Sequence, residues 1–421
     1  MAANEMFHRK VETTTNTRRI IMGVVFLLFG AVIAIFFALD VAADDVARFG
    51  LARGAGSLDI PPLSLPAQAT LWVLAVMAAI LGGVQLARGF RRWTNLVLSF
   101  VVFFFVFGFL VWATAGKSLN LAGLLSTTLS KAVPLTLGAL SGILCERSGI
   151  VNIAIEGMML IGALVGALVG SLAGLWVGLL AAIASGALMG LLLAVLSIRY
   201  KTNQIIAGTV LNILALGLTS YISSKFMQPF PELNNSGTFS SFAIPVLSDI
   251  PLIGPLLFEH NIFVYAMFAF LIILHVGLFN TKWGLRMRAV GEHPKAADTL
   301  GIDVFKTRYM SVVLGGMMAG FAGAYFTLGS VGRFDEVMTA GRGFIALAAM
   351  IFGNWTPFGS FGAGLLFGFA DSLASRLAIL RIPVPSEFLL MAPYIATMIV
   401  LAGVVGRGHA PAAEGVPYEK E

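Results

Sequence analysis

The residues best placed to do chemistry gather in two short stretches between apolar runs. Ser141–Gly162 reads SGILCERSGIVNIAIEGMMLIG and carries Glu146, Arg147, Asn152 and Glu156, with glycines at 142, 149 and 157. A charged side chain at the centre of a bilayer costs about 2.5–3.5 kcal/mol on insertion scales, so these groups must face protein or water. One reading is an interrupted helix pair meeting at or below the membrane midplane. The other is a short cytoplasmic turn, Cys145–Asn152, between two ordinary spans. Glu156 favours the first, because it lies inside an apolar run and not at its edge. The second stretch is Asn354-Trp355-Thr356-Pro357, which separates the short run Gly341–Gly353 from Phe358–Ser375. Paired, short, Gly/Pro-interrupted apolar segments point to a central substrate path, although Asn-x-x-Pro is also an ordinary turn.

Other chemistries lack their residues. Gly116-Lys117-Ser118 resembles the end of a phosphate-binding loop, but Val111 stands where that motif needs glycine. The five histidines, at 8, 260, 275, 293 and 409, are scattered, and no His-Glu-x-x-His or Gly-x-Ser-x-Gly occurs. His275, alone in an apolar run, reads as a packed or interfacial side chain. The single Cys145 excludes an intrachain disulfide and a multi-cysteine metal site. Nothing here supports an enzyme, and no cofactor or metal is expected on the chain.

The elements that must position these residues are membrane spans. Of the 421 residues, 58% are hydrophobic and 11% charged, against about 25% charged in a soluble domain. The fold class expected is all-α, a polytopic membrane protein, since the apolar runs are continuous and about 20 residues long where a barrel would alternate. Twelve runs fall at about 20–39, 67–86, 96–114, 122–144, 153–173, 175–198, 204–222, 262–280, 309–329, 341–353, 358–375 and 387–405. Runs 153–173 and 341–353 are candidates for half-spans, which leaves ten to twelve crossings. Thr17-Arg18-Arg19 before Ile20–Leu39 imitates an export signal, but 20 apolar residues make an uncleaved first span.

Lysine and arginine set the orientation. With the first residues cytoplasmic, 18 of the 27 basic residues lie inside, and nine, Lys131 and Arg342 among them, fall outside. Both termini are therefore placed in the cytoplasm. The net charge of +6 reflects this distribution and is no sign of nucleic-acid binding. Residues 1–115 form N-terminal segments, 116–408 a core, and 409–421 a cytoplasmic tail. The external loop 223–261 holds five prolines, 229, 231, 245, 251 and 255, which suits an ordered cap or a partner's docking surface. The cytoplasmic loop Thr281–Arg308 contains Pro294–Leu300, with proline at a first helical position and Gly301 at the stop, which predicts a short presented helix. Gly162, Gly166, Gly170 and Gly174 lie four apart, a small-residue face for helix packing.

Two stretches carry a resemblance. Arg288, Ala289, Gly291, Glu292, Ala296, Ala297, Gly301 and Ile302, followed by the glycine-rich span Met310–Leu328, resemble the permease subunits of ABC importers of the branched-chain amino acid, ribose and nucleoside type. Glu146–Gly162 most resembles the nucleoside branch. The likeness covers about residues 130–405. It implies that the loop, through Arg288, Gly291, Glu292, Ala296, Ala297 and Gly301, docks on a separate ABC ATP-binding subunit, which holds the ATP and Mg. It further implies a second permease, related or identical, and an external substrate-binding lipoprotein, in a plasma (inner) membrane. Asn152, Glu156, Asn354 and Trp355 are the expected substrate path, since a nucleoside offers hydroxyls to hydrogen bond and a base to stack. Glu146 and Arg147 are the expected gate or structural pair, with the capping of helix ends as their other reading. An importer of sugars or branched-chain amino acids is the nearest alternative. An ion-coupled carrier using Glu156, or a non-transporting scaffold, stands further off.

Overall fold

A computed structural model describes residues 2–51, 61–251, 253–380, 388, 391 and 409–420, and side chains from Asn16 onward. The chain divides into two compact units, residues 1–123 with 376–383, and 124–375 with 384–421. Among the described residues ten helices are long and apolar enough to cross a membrane, within the range the apolar runs predict. The last run, 387–405, lies almost wholly outside the described residues.

In the first unit, α1 (Ala2–Val32) continues as a π-turn to Ala38, and α2 (Ala67–Ala87) and α3 (Thr94–Ala113) pack beside it. Phe29, Phe37, Phe105, Phe109 and Trp112 join α1 to α3 through ring contacts of 5.0–5.9 Å, the offset geometry that aromatic quadrupoles favour. A small sheet of β1 (Val46–Gly50), β2 (Leu63–Pro66) and β3 (Ser118–Asn120) has the order β2-β1-β3. β1 is antiparallel to β2, with Val46 opposite Pro66, and parallel to β3, with Arg48 opposite Ser118.

The second unit is built on α4 (Leu121–Glu146), α5 (Ile155–Ala173), α6 (Leu175–Ala194) and α7 (Gln204–Ile222). Within loop 223–261, β4 (Phe242–Ala243) pairs with β5 (Glu259–His260) around the five-residue α8 (Ile253–Leu257). α9 (Ile262–Asn280), α10 (Lys282–Glu292), α11 (Pro294–Thr299) and α12 (Val304–Phe326) follow, then α13 (Arg342–Phe352) and α14 (Pro357–Ile379). The proline-rich loop is tied down: Phe239 N–H bonds Leu328 O at 2.8 Å, and Asn261 Nδ2 bonds Gly329 O at 2.7 Å.

Glycines set how closely this unit packs. On α6 and α12, a methyl group added at Gly186 would meet the Gly316 carbonyl oxygen, and one at Gly190 would lie 2.7 Å from Val312 O. The two backbones are therefore in contact, as small-residue helix faces allow. Gly162, Gly166 and Gly170 pack against Gly320, Thr327 and Leu328, as their spacing predicts. Gly174 differs: its φ of +89° and open surroundings make it the turn from α5 to α6.

α5 has 19 residues, about 28 Å of helix, and is long and apolar enough to cross. α13 has 11 residues, about 16 Å of helix against a hydrocarbon core of about 30 Å, and it remains a half-length element. Lys131, counted with Arg342 on the outer side, sits inside α4, and Arg342 opens α13.

Candidate functional site

α4 ends at Glu146, and the chain does not turn straight back. A methyl group on Gly142 would contact the Ile155 side chain, and one on Gly138 would contact Ile155 and Met159. Ile155 thus lies level with residues four to eight before the end of α4, about 6–12 Å up its axis. Residues 147–154 climb back into the helical body before α5 begins. The stretch is a turn between two long apolar helices, and the second of them starts inside the helical body. Polar side chains of α7 hold the climb, Gln204 Oε1 accepting from Val151 N–H at 2.7 Å. Asn212 bonds Ile153 O at 2.9 Å and accepts from Gly157 N–H at 2.8 Å.

Glu156 stands in the first turn of α5 and meets the start of α13. Its Oε1 accepts from the Thr339 hydroxyl at 2.6 Å and from Gly341 N–H at 2.8 Å; its Oε2 accepts from Gly343 N–H at 2.6 Å. The first N–H groups of a helix lack intrahelical partners, and a carboxylate there also meets the positive end of the helix dipole. Glu156 caps α13 from another helix.

At the opposite end of α13, Glu146, Arg147, Asn354 and Trp355 come together. Trp355 Nε1 donates to Glu146 Oε2 at 2.6 Å, and both side chains are buried. Arg147 donates to Trp355 O at 2.9 Å and to Asn354 O at 3.3 Å. Its guanidinium and that of Arg288 both lie over the Phe279 ring, 5.7 and 5.0 Å from the centroid, a cation–π arrangement. Burial lowers the Arg147 pKa, the charge of Arg288 lowers it further, and Glu292 opposes both. Asn354 and Trp355 have φ of +54° and +51°, the left-handed region that non-glycine residues rarely enter. Asn152 is fully buried, its Nδ2 3.4 Å from Cys145 Sγ. His275 packs between Phe279 and Phe358, with ring centroids 5.3 and 4.8 Å away.

The loop helix takes the predicted form. α11 has Pro294 at its start, and Gly301 follows at φ +79°. Ala297 is buried against Val290, Val304 and Tyr418, while Ala296, Glu292 and Gly301 are exposed. Leu300 is 82% exposed at the tip. Gly291 is buried where a methyl group would meet the Arg147 carbonyl oxygen, which fixes α10 to the turn after α4.

A second polar group lies outside the residues expected from the sequence. Lys131 on α4 pairs with Asp371 on α14 at 3.0 Å and donates to Ser375 Oγ at 2.9 Å. Arg342 lies 3.9 Å from the same Asp371. A signal exists for it, since Lys131 and Asp371 are lone charges inside the runs 122–144 and 358–375. Residues 409–420, expected only as a cytoplasmic tail, are also engaged: Ala413 N–H bonds Gly291 O at 2.9 Å and Gly415 N–H bonds Gly149 O at 3.2 Å.

Charges held among membrane-crossing helices must be shielded by protein or water, and a watered route past such charges is what a multi-pass permease provides. Residues 124–404 match the family described as branched-chain amino acid transport system / permease component, and the chain belongs to that family. It is 41% identical over 303 residues to the guanosine ABC transporter permease protein NupQ of Bacillus subtilis, covering 70% of this chain and 95% of that one. It is 38% identical over 301 residues to the nucleoside ABC transporter permease protein NupC of Lactococcus lactis, covering 69% and 94%. The glucose ABC transporter permease protein TsgB13 of Haloferax volcanii is 30% identical over 257 residues, covering 58% and 67%. No solved structure matches.

Proposed function

We propose that this chain is the membrane-spanning subunit of an ATP-driven importer of nucleosides. Likeness along nearly the full length of two relatives named for guanosine and nucleosides carries the reading. α11 supports the energy coupling: a partner ATPase closing on ATP would grip Leu300, Ala296 and Glu292. That puts α11 on the cytoplasmic face, with both termini there by the positive-inside rule. A second permease subunit and an external binding protein complete the assembly.

In this reading Glu156 and the Lys131–Asp371–Arg342 group line the path. Lys131, Asp371 and Arg342 are 25%, 31% and 32% exposed within or beside membrane spans. Charges do not face lipid, so this surface faces water, where ribose hydroxyls would find donors and acceptors. Glu146, Arg147, Asn354 and Trp355 form the inner gate. Asn152 supports that gate from behind, and Trp355 would reach substrate only when its bond to Glu146 opens.

The test is uptake of radiolabelled nucleosides into proteoliposomes holding the assembled complex, with and without ATP on the ATPase side. ATP-dependent uptake of guanosine, competed by other nucleosides and not by glucose, is expected. Uptake by this chain alone on an ion gradient would refute the reading.

A further inference from the structure

Residues 409–420 touch three turns that are far apart in sequence. His409 N–H bonds Asn354 Oδ1 at 3.0 Å, between α13 and α14. Gly415 N–H bonds Gly149 O, in the climb after α4. Ala412 N–H bonds Glu292 Oε2 at 3.2 Å, and Ala413 N–H bonds Gly291 O, at the end of α10. Arg308, 2% exposed at the base of α12, ties the arrangement from beneath, donating to Ser148 O at 3.2 Å and to Val416 O at 3.1 Å. Tyr418, 6% exposed, packs on Phe305 with ring centroids 5.4 Å apart, beside the buried Ala297 of α11. Lys420 reaches Asp298 of α11 at 3.5 Å, and Glu419 pairs with Lys201 at 2.6 Å.

We propose that residues 409–420 are a tie that makes the α10–α11 pair and the two gate turns move as one body, a positioning element for energy coupling. This rests on the reading of α11 as the ATPase contact. Ala413 and Gly415 are two residues apart and bond opposite partners, one on α10 and one on the turn after α4. A hydrogen bond fails within a few tenths of an ångström beyond its normal length. A displaced α10 must therefore carry the 147–154 turn with it or break one of the two bonds. His409 extends the same constraint to Asn354. Gly415 has φ +75°, so a side chain there strains the tie without touching α11.

Gly415→Val and Tyr418→Ala would be compared with the unaltered chain in the complete complex. Both are expected to keep the ATPase bound and hydrolysing while uptake per ATP falls about tenfold, the effect of losing about one hydrogen bond in Gly415→Val and the ring packing on Phe305 in Tyr418→Ala. An unchanged ratio would overturn the proposal. So would loss of the ATPase from the complex, which would make the segment part of the docking surface instead. Hydrogen exchange separates this from the importer reading, because it needs no transport. Amides of 147–154 should exchange faster in both variants, and unchanged exchange there sinks the tie even if the complex proves to carry another substrate.

Discussion

Glu156→Gln tests whether one carboxylate holds the half-length helix in place. The carboxylate receives three hydrogen bonds, two of them from N–H groups at the start of α13. A glutamine has one oxygen and one NH2, so in either orientation at least one α13 amide faces another donor. Losing one charge-assisted bond costs about 1.5–3 kcal/mol, and losing the charge at a helix N-terminus adds about 0.3–1 kcal/mol. Together these favour release of the α13 N-terminus by about 20- to several-hundred-fold. Exchange of the Gly341 and Gly343 amides in detergent-solubilised protein reads this directly. A rise of that size is expected, with slower uptake by the complex. Exchange at the unaltered rate would refute the capping argument, whatever happened to transport.

Three further outcomes rest on the packing and the charges. Lys131→Met or Asp371→Leu alone should slow uptake, Asp371→Leu the more because it takes the carboxylate from both Lys131 and Arg342, and the double substitution should not restore it. Full recovery of uptake would remove this group from the path. Gly186→Ala should destabilise the α6–α12 contact by about 1–3 kcal/mol, while Gly217→Ala, where a methyl group meets nothing within 4 Å, should be neutral or stabilising by up to about 1 kcal/mol; thermal unfolding compares them. Burial pushes the Glu414 carboxyl above its ordinary range, partly offset by its hydrogen bond with Glu146. A raised folded-state pKa means the docked state holds the extra proton, so docking of residues 409–420 is firmest below the ordinary glutamate range and weakens as pH rises through the raised pKa. Glu414→Gln should flatten that dependence in limited proteolysis across pH.

Local signals carry far in this chain. Pro294 and Gly301 bracket α11 because both act through their own backbone, and the four-residue glycine spacing foretells the α5 contacts. Long-range partnership is invisible in the same residues. Trp355 looks like a stacking surface because nothing local says that Glu146, 209 residues away, takes its N–H. The capping role of Glu156 is equally hidden, because its partners at α13 are mostly backbone amides, which nearly every residue carries. Residues 409–420 show no apolar period, and their order comes from amides bonding carbonyls at 149 and 291.

At Asn354 and Trp355, two successive non-glycine residues in left-handed conformation store about 1–3 kcal/mol each. Arg147 on their carbonyls and Glu146 on the indole hold them there. Parting Arg147 and Glu146 from this turn would therefore release part of that strain as the backbone relaxes, so the contacts are easier to open than their bond count alone implies.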